Sequence, residues 1–210
     1  MKKNSFSILN IIALFSIFMF ALYAICPFNL IDMEQAARIA KWKSEFEKFK
    51  YCFSILDMHE GDMAQGSELE PAIADDYMVE KIFDYFDFSG KKLTNIPNYK
   101  YKRKNGRIIA PNHPLYFDRF IKCKNGTLVS FKKIINEENS GVNPLFHMFI
   151  DINGEEKPNR IGLDIFFIDI FHHNIQAHGY DKDYLKLKQN CSPIGSGFYC
   201  SEFYLLGGHF

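Results

Sequence analysis

The apolar positions of the chain begin as one unbroken run, because the 21 residues from Phe6 to Cys26 carry no charge. At a rise of about 1.5 Å per residue in a helix, this run spans roughly 30 Å, the thickness of a bilayer core. Lys2 and Lys3 precede it, so the positive-inside rule predicts a cytoplasmic N-terminus. The pattern therefore predicts a single-pass inner (cytoplasmic) membrane protein with its head outside the cytoplasm.

A cleaved secretory signal is the alternative explanation of the same run. Such a signal has a shorter apolar region that ends in small residues at the cleavage site. The best candidates, Met19-Phe20-Ala21 and Leu22-Tyr23-Ala24, place a bulky residue two positions before the cut. A retained helix from Phe6 to Cys26 is therefore the favoured interpretation.

A second apolar pattern follows Pro27, in the segment from Asp32 to Glu60, which contains neither Pro nor Gly. Its large apolar residues recur in steps of three and four, the spacing of one face of a helix. The residues with this spacing are Ile39, Trp42, Phe46, Phe49, Phe53 and Leu56. We expect one nearly continuous helix from Phe6 to about Glu60, bent near Pro27, whose later half packs on the head.

The rest of the chain alternates between helical and strand-like patterns. A second amphipathic helix is predicted from Pro71 to Phe88. After Gly90, short apolar runs are separated by Asn-Gly dipeptides at 105–106, 125–126 and 153–154, and this dipeptide favours tight turns between antiparallel strands.

These patterns together predict an α+β fold. A long N-terminal helix, membrane-spanning in its first half and amphipathic in its second, packs on a C-terminal head with a small antiparallel sheet. The predicted divisions are a short basic leader at 1–5, the helix at 6–60 and a globular extracytoplasmic head at 61–210.

Composition and charge exclude one class of partner. The chain has 25 Lys plus Arg and 25 Asp plus Glu, so its net charge is zero and no overall field attracts nucleic acid. Aromatic residues make up 16% of the chain, including 22 Phe, which predicts a core rich in rings.

Two of the five cysteines, Cys191 and Cys200, bracket a short loop that contains Gly and Pro. For a head outside the cytoplasm, a disulfide between them is the expected state. Cys52 and Cys123 form either a second bridge or two buried thiols, and the sequence leaves both possibilities open.

Two patterns suggest metal ligands. Asp151 and Asn153, followed by Gly154, resemble the opening of a calcium loop that Asp164 could complete, although Gly162 stands where the closing Glu of an EF-hand belongs. A strand that ends in an Asn-Gly turn is the preferred interpretation. The histidines at 172, 173 and 178 lack the paired spacing of a zinc site, so no metal is expected there.

The sequence lacks the motifs of common catalytic sites. It contains no Gly-rich phosphate loop, no Gly-x-Ser-x-Gly and no convincing Cys/His pair. We therefore expect neither an enzyme nor a bound cofactor.

The N-terminus resembles that of type IV pilins and pseudopilins. Met1 to Ser5 corresponds to the basic leader, Phe6 to the first residue after the cut, and Pro27 to the helix-kinking proline twenty-one residues further on. The resemblance implies prepilin-type processing and methylation at Ser5 and Phe6, and assembly through a helix that includes Asn10 and Pro27. Ser5 replaces the family's Gly, and Asn10 replaces the Glu that pairs with a neighbouring subunit's amine.

A segment of the head carries a second resemblance to the same proteins. Phe149 to Ile170 contains Asp-x-Asn-Gly, then Pro-Asn, then Gly-x-Asp-x-Phe, as in the heads of many bacterial pilin-like proteins. Cys123 to Phe131 is similar to the strand that precedes this segment.

The resemblance implies a structural subunit of the minor pilin or pseudopilin kind. Such a subunit assembles through its N-terminal helix into a type IV pilus or a type II secretion-like fibre, and its partners are other pilin or pseudopilin subunits. The alternative is a monomeric membrane-anchored extracytoplasmic binding module, which the loss of the family's Gly and Glu favours.

Overall fold

The structure, a computed structural model, describes residues 8–62, 66, 68–135 and 143–209, and it describes no side chain at residues 9, 10 and 23–32. The chain divides into two compact units, Met1–Ala37 and Arg38–Phe210. Helix α1, Ile8–Glu60, contributes residues to both units.

The membrane-spanning element of the predicted fold is not found in the part of the chain that the structure describes. Among the described residues, no helix combines the length and the apolar character needed to cross a membrane. The predictions of a membrane-spanning helix at Phe6 to Cys26, of a fold class built on it and of a single-pass inner-membrane location are therefore wrong.

In the second unit, the apolar stripe of α1 lies in the core. Trp42, Phe46, Phe49, Phe53 and Leu56 are buried, which confirms that part of the prediction, and Ile39 is half-buried against them. The Trp42 ring stacks on Phe166 with centroids 4.5 Å apart, and its indole N–H donates to the Ser201 carbonyl at 3.0 Å.

Three shorter helices complete the helical part of the described chain. Helix α2, Pro71–Ile82, ends earlier than expected and continues as a 3-10 turn at Phe83–Tyr85. Helices α3, Tyr184–Cys191, and α4, Cys200–Leu205, lie near the C-terminus. The Asp183 carboxylate caps α3 by accepting the Lys186 N–H at 3.0 Å.

The predicted antiparallel sheet is present and has five strands in sequential order. The strands are β1 Ile121–Lys122, β2 Leu128–Lys133, β3 Phe146–Asp151, β4 Ile165–Ile170 and β5 Ile175–Ala177. Each pairs antiparallel with the next along the chain. In the turn between β1 and β2, the Asn125 side chain accepts the Thr127 N–H at 3.0 Å.

The sheet is covered on both faces, so its side chains alternate between two cores. One core contains Met148, Phe166 and Ile168 together with α1 and α2. The other contains Phe149 and Phe167 together with irregular chain that includes Tyr101, Ile109, Leu115, Phe117 and Phe120. Because both faces are covered, β4 is buried at every position.

The predicted disulfide between Cys191 and Cys200 is confirmed, and it joins the last residue of α3 to the first residue of α4. Cys52 and Cys123, the other two cysteines whose side chains are described, are free and buried. Burial raises the pKa of both thiols to about 12, so they remain protonated at neutral pH.

Replacing both Cys191 and Cys200 by serine should lower the free energy of unfolding by roughly 2–3 kcal/mol, since the bridge restricts a short loop of the unfolded chain. Urea denaturation of the full chain measures this difference. As a control, the same comparison in dithiothreitol should show little difference between the two proteins. Equal stability of the two proteins under oxidising conditions would contradict the prediction.

Candidate metal centre

Three polar side chains meet at the face of the sheet that carries Phe149 and Phe167. His147 of β3 lies directly opposite Asp169 of β4 in the antiparallel register. His178 follows the last residue of β5, and its backbone N–H donates to the Phe167 carbonyl at 3.0 Å. The strand pairing therefore fixes the backbone of all three residues.

The Asp169 carboxylate bonds to both imidazole rings. One of its oxygens lies 2.7 Å from His147 Nδ1, and both lie 3.0 Å from His178 Nδ1. The two rings are nearly perpendicular, with centroids 5.5 Å apart. The Asp169 side chain is 4% exposed, whereas those of His147 and His178 are 13% and 18% exposed.

The charge of Asp169 is set by the two histidines. Burial by itself raises the pKa of this carboxyl, but the hydrogen bonds and charges of His147 and His178 outweigh burial and hold the pKa at about 2. Asp169 is therefore ionised at neutral pH, and each ring donates its Nδ1 proton to it.

The surroundings of the group are partly open. His147 lines an open groove of about 510 Å³ whose other walls are Pro114, Lys132, Lys133, Ile134, Ile135 and Pro144. On the other side, the Tyr199 ring lies 5.7 Å from the His178 ring. Among the described residues, His147 is the member of the group that lines this groove.

Two imidazoles and a carboxylate are common ligands of zinc and related divalent metals. One nitrogen of each histidine and one Asp169 oxygen all lie within 4.8 Å of one another. Within the described part of the chain, no other group of His, Cys, Asp or Glu side chains meets this condition.

Of these three residues, only His178 belongs to a sequence pattern that suggests metal ligands, and its spacing predicts no metal. The neighbouring histidines lie elsewhere: His172 Nδ1 contacts Asp62 at 3.1 Å and His173 Nδ1 contacts Asp57 at 2.9 Å. The missed residues, His147 and Asp169, are polar positions in otherwise apolar strands. A polar residue in each of two adjacent buried strands is the signal that could have found them.

The calcium candidates Asp151 and Asp164 are both fully buried, and the chain itself binds their oxygens. Asp151 accepts the Tyr99 hydroxyl and the Asn153 N–H, the latter at 3.2 Å. Asp164 accepts the backbone N–H groups of Asn159 and Arg160 at 2.7 and 2.6 Å.

These bonds close the connection between β3 and β4, an arrangement typical of a structural turn. Gly154 there has a φ of +71°, which favours glycine, and it lies close to the Gly126 carbonyl. Because each carboxyl oxygen of Asp151 and Asp164 already accepts a bond from the chain, a calcium ion would have to replace these donors. Asp151, Asn153 and Asp164 therefore stay candidate calcium ligands only, and the strand that ends in an Asn-Gly turn stays the preferred interpretation.

The predicted processing residues Ser5 and Phe6 lie outside the described residues. The predicted assembly residues Asn10 and Pro27 lie within α1, but their side chains are not described. Comparison with family models, with curated proteins and with solved structures finds no match to this chain.

Proposed function

We propose that this protein is a structural subunit similar to a minor pilin or pseudopilin. It joins a fibre of the type IV pilus or type II secretion kind through the N-terminal part of α1. The observation that carries this proposal is the exposure of an apolar helical surface between Ile11 and Leu22.

Every described side chain from Ile11 to Leu22 is exposed, and none carries a charge. The large apolar side chains in this stretch are between 47% and 76% exposed. They are Ile11, Ile12, Leu14, Phe15, Ile17, Phe18, Met19, Phe20 and Leu22. An apolar surface of this kind marks a site of interaction, because its exposure to water is unfavourable.

The occupant that fits this surface is a set of equivalent helices from neighbouring pilin-like subunits. Twelve consecutive exposed residues cover more than three helical turns, so the apolar surface extends around the whole helix. A single partner helix covers one stripe only, whereas a helix that is apolar all round needs neighbours on every side. A fibre core built from packed helices provides such neighbours.

The sequence at Asn10 supports a minor position in the fibre. In the family, a charged Glu at this position pairs with the amine of a neighbouring subunit, and Asn has no such charge. Asn can still form a hydrogen bond to a neighbouring helix, but such bonds average only about 0.6 kcal/mol. The neighbours of this subunit would therefore be pilins that carry the Glu. A place at the fibre tip, where no further subunit needs that contact, is consistent with this chemistry.

The test is co-purification of the full chain, expressed at its native level, with pilins identified by mass spectrometry as carrying the Glu. Wild-type protein should co-purify with them and should form no filaments alone by electron microscopy. Ile17→Glu, which places a charge on the apolar surface, should reduce the co-purified pilin by more than about tenfold. The matched control is Ser44→Glu, at an exposed position of α1 in the second unit, and it should have no effect.

Each contrary outcome has a distinct meaning. Abundant filaments made by this chain alone would refute a minor subunit. Equal co-purification of the wild type and Ile17→Glu would place the contact elsewhere. Failure to associate with any pilin would favour the alternative, a monomeric binding module, for which the His147–Asp169–His178 group provides a specific observation.

A further inference from the structure

We propose that His147, Asp169 and His178 bind one divalent transition metal ion. Zinc is the metal whose usual ligands these side chains match. The three side chains supply two nitrogen ligands and one oxygen ligand, and water occupies the fourth position. This site is independent of the proposed assembly surface, because all three residues belong to the second unit.

The distances are those of a site that needs only small movements. Zinc bonds to imidazole nitrogen and carboxylate oxygen are about 2.0–2.2 Å long, so tetrahedral ligands lie roughly 3.3–3.5 Å apart. The Nδ1 atoms of His147 and His178 now lie 2.7 and 3.0 Å from Asp169 oxygens. Side-chain rotations that open these contacts by several tenths of an ångström create room for the ion.

The protons on the rings must move when a metal ion binds. At present each Nδ1–H donates to Asp169, and a metal ion needs the Nδ1 lone pair instead. When the ion binds through Nδ1, the ring proton lies on Nε2, and a ring that carried two protons releases one. The carboxylate, already ionised, exchanges two hydrogen bonds for one bond to the metal.

The fold holds the three ligands close together, because two of them lie on adjacent hydrogen-bonded strands. His147 and Asp169 are register partners, and the backbone of His178 is bonded to β4 through Phe167. Ligands held on rigid strands lose little conformational entropy on binding. The ion would thereby link β3, β4 and the residue that follows β5.

One nearby cation opposes the metal. Lys132 lies opposite His147 in the register of β2 and β3, and its ammonium donates to the Tyr116 carbonyl at 3.0 Å. A positive charge beside the site weakens the binding of a cation. The variant Lys132→Gln should therefore bind the metal more tightly than the wild type.

The test is isothermal titration of tag-free full-length protein with Zn²⁺, together with the visible absorption spectrum after addition of Co²⁺. Wild-type protein should bind one Zn²⁺, which should also raise its melting temperature, and Co²⁺ should give the bands of a tetrahedral site. His147→Gln and His178→Gln keep a hydrogen-bonding side chain and should weaken zinc binding by at least about tenfold.

The matched controls are His172→Gln and His173→Gln, because these histidines also contact a carboxylate but lie outside the group. Both controls should bind zinc as the wild type does. Absence of one-to-one zinc binding by the wild type would overturn the proposal. Loss of binding in a control, or wild-type affinity in both His147→Gln and His178→Gln, would also overturn it. The zinc titration and the Co²⁺ spectrum are measured on the wild type. The test therefore remains decisive even when a variant fails to fold.

Discussion

Replacing Phe53 by alanine is expected to lower the free energy of unfolding of the head by about 3–5 kcal/mol, and Phe46→Ala should have a similar effect. Both rings belong to the core between α1 and the sheet, and Phe53 is only 1% exposed. Truncating a buried ring removes the free energy of its burial and also leaves a cavity, so the two losses add.

Urea denaturation of the full chain measures the effect, with fluorescence as the probe. The chain has a single tryptophan, Trp42, which is buried in the same core, so its emission reports the loss of this packing. Tyr51→Ala is the matched control, because Tyr51 lies two residues from Phe53 on α1 and is 70% exposed. We expect a change within about 0.5 kcal/mol for the control. A change below about 1 kcal/mol for Phe53→Ala would mean that the stripe does not hold α1 on the sheet.

The second large effect concerns pH and the buried carboxyl of Asp151. Burial, reinforced by the neighbouring charge of Asp164, raises its pKa from 3.8 to about 8, although bonds from Tyr99, Asn153 and Gly154 act in the opposite direction. In the folded chain this carboxyl therefore holds its proton up to about pH 8, whereas in the unfolded chain it loses the proton above pH 3.8.

The sign of the effect follows from this difference in bound protons. Between these two pH values the folded state binds more protons, so the stability of the fold falls as the pH rises. The contribution is fully present below pH 3.8 and is lost as the pH rises through about 8. At about 1.4 kcal/mol per pKa unit, the loss is of the order of several kcal/mol.

Asp151→Asn should remove most of this loss, because the amide is neutral at every pH and its oxygen still accepts the Tyr99 hydroxyl. Unfolding free energies at pH 4.5 and pH 8 should differ less for the variant than for the wild type. The control is Asp84→Asn at an exposed position, which should follow the wild type. If the free energy of unfolding of Asp151→Asn changed with pH as much as that of the wild type, the buried carboxyl would not titrate as described.

The parts of the fold that sequence predicts are those specified by short-range patterns. The spacing of Trp42, Phe46, Phe49, Phe53 and Leu56 predicts the buried face of α1, because helical periodicity is local. The Asn-Gly dipeptide at 125–126 predicts a hairpin for a similar reason, since this dipeptide favours a tight turn wherever it occurs. The Cys191–Cys200 bridge closes a loop so short that few alternatives compete.

The parts that sequence misses depend on contacts between distant residues. His147 and Asp169 become neighbours only through the pairing of β3 with β4, and nothing in either strand specifies the register by itself. The second core is built by irregular chain around Tyr101 and Phe117, which has no periodicity to recognise. For the N-terminal run, the absence of charge over 21 residues predicts a membrane span, but no described helix combines the length and the apolar character that a span needs.

The bond between Trp42 and Ser201 has a consequence for the order in which the head is made. The two residues are 159 positions apart, and ribosomes add roughly 5–20 residues per second, so Trp42 emerges about 10–30 s before the carbonyl that binds it. During this interval the aromatic stripe of α1 is already synthesised, whereas the last helix that completes its cover does not yet exist. We therefore expect the aromatic stripe of a nascent chain to lack this cover until α4 has been synthesised.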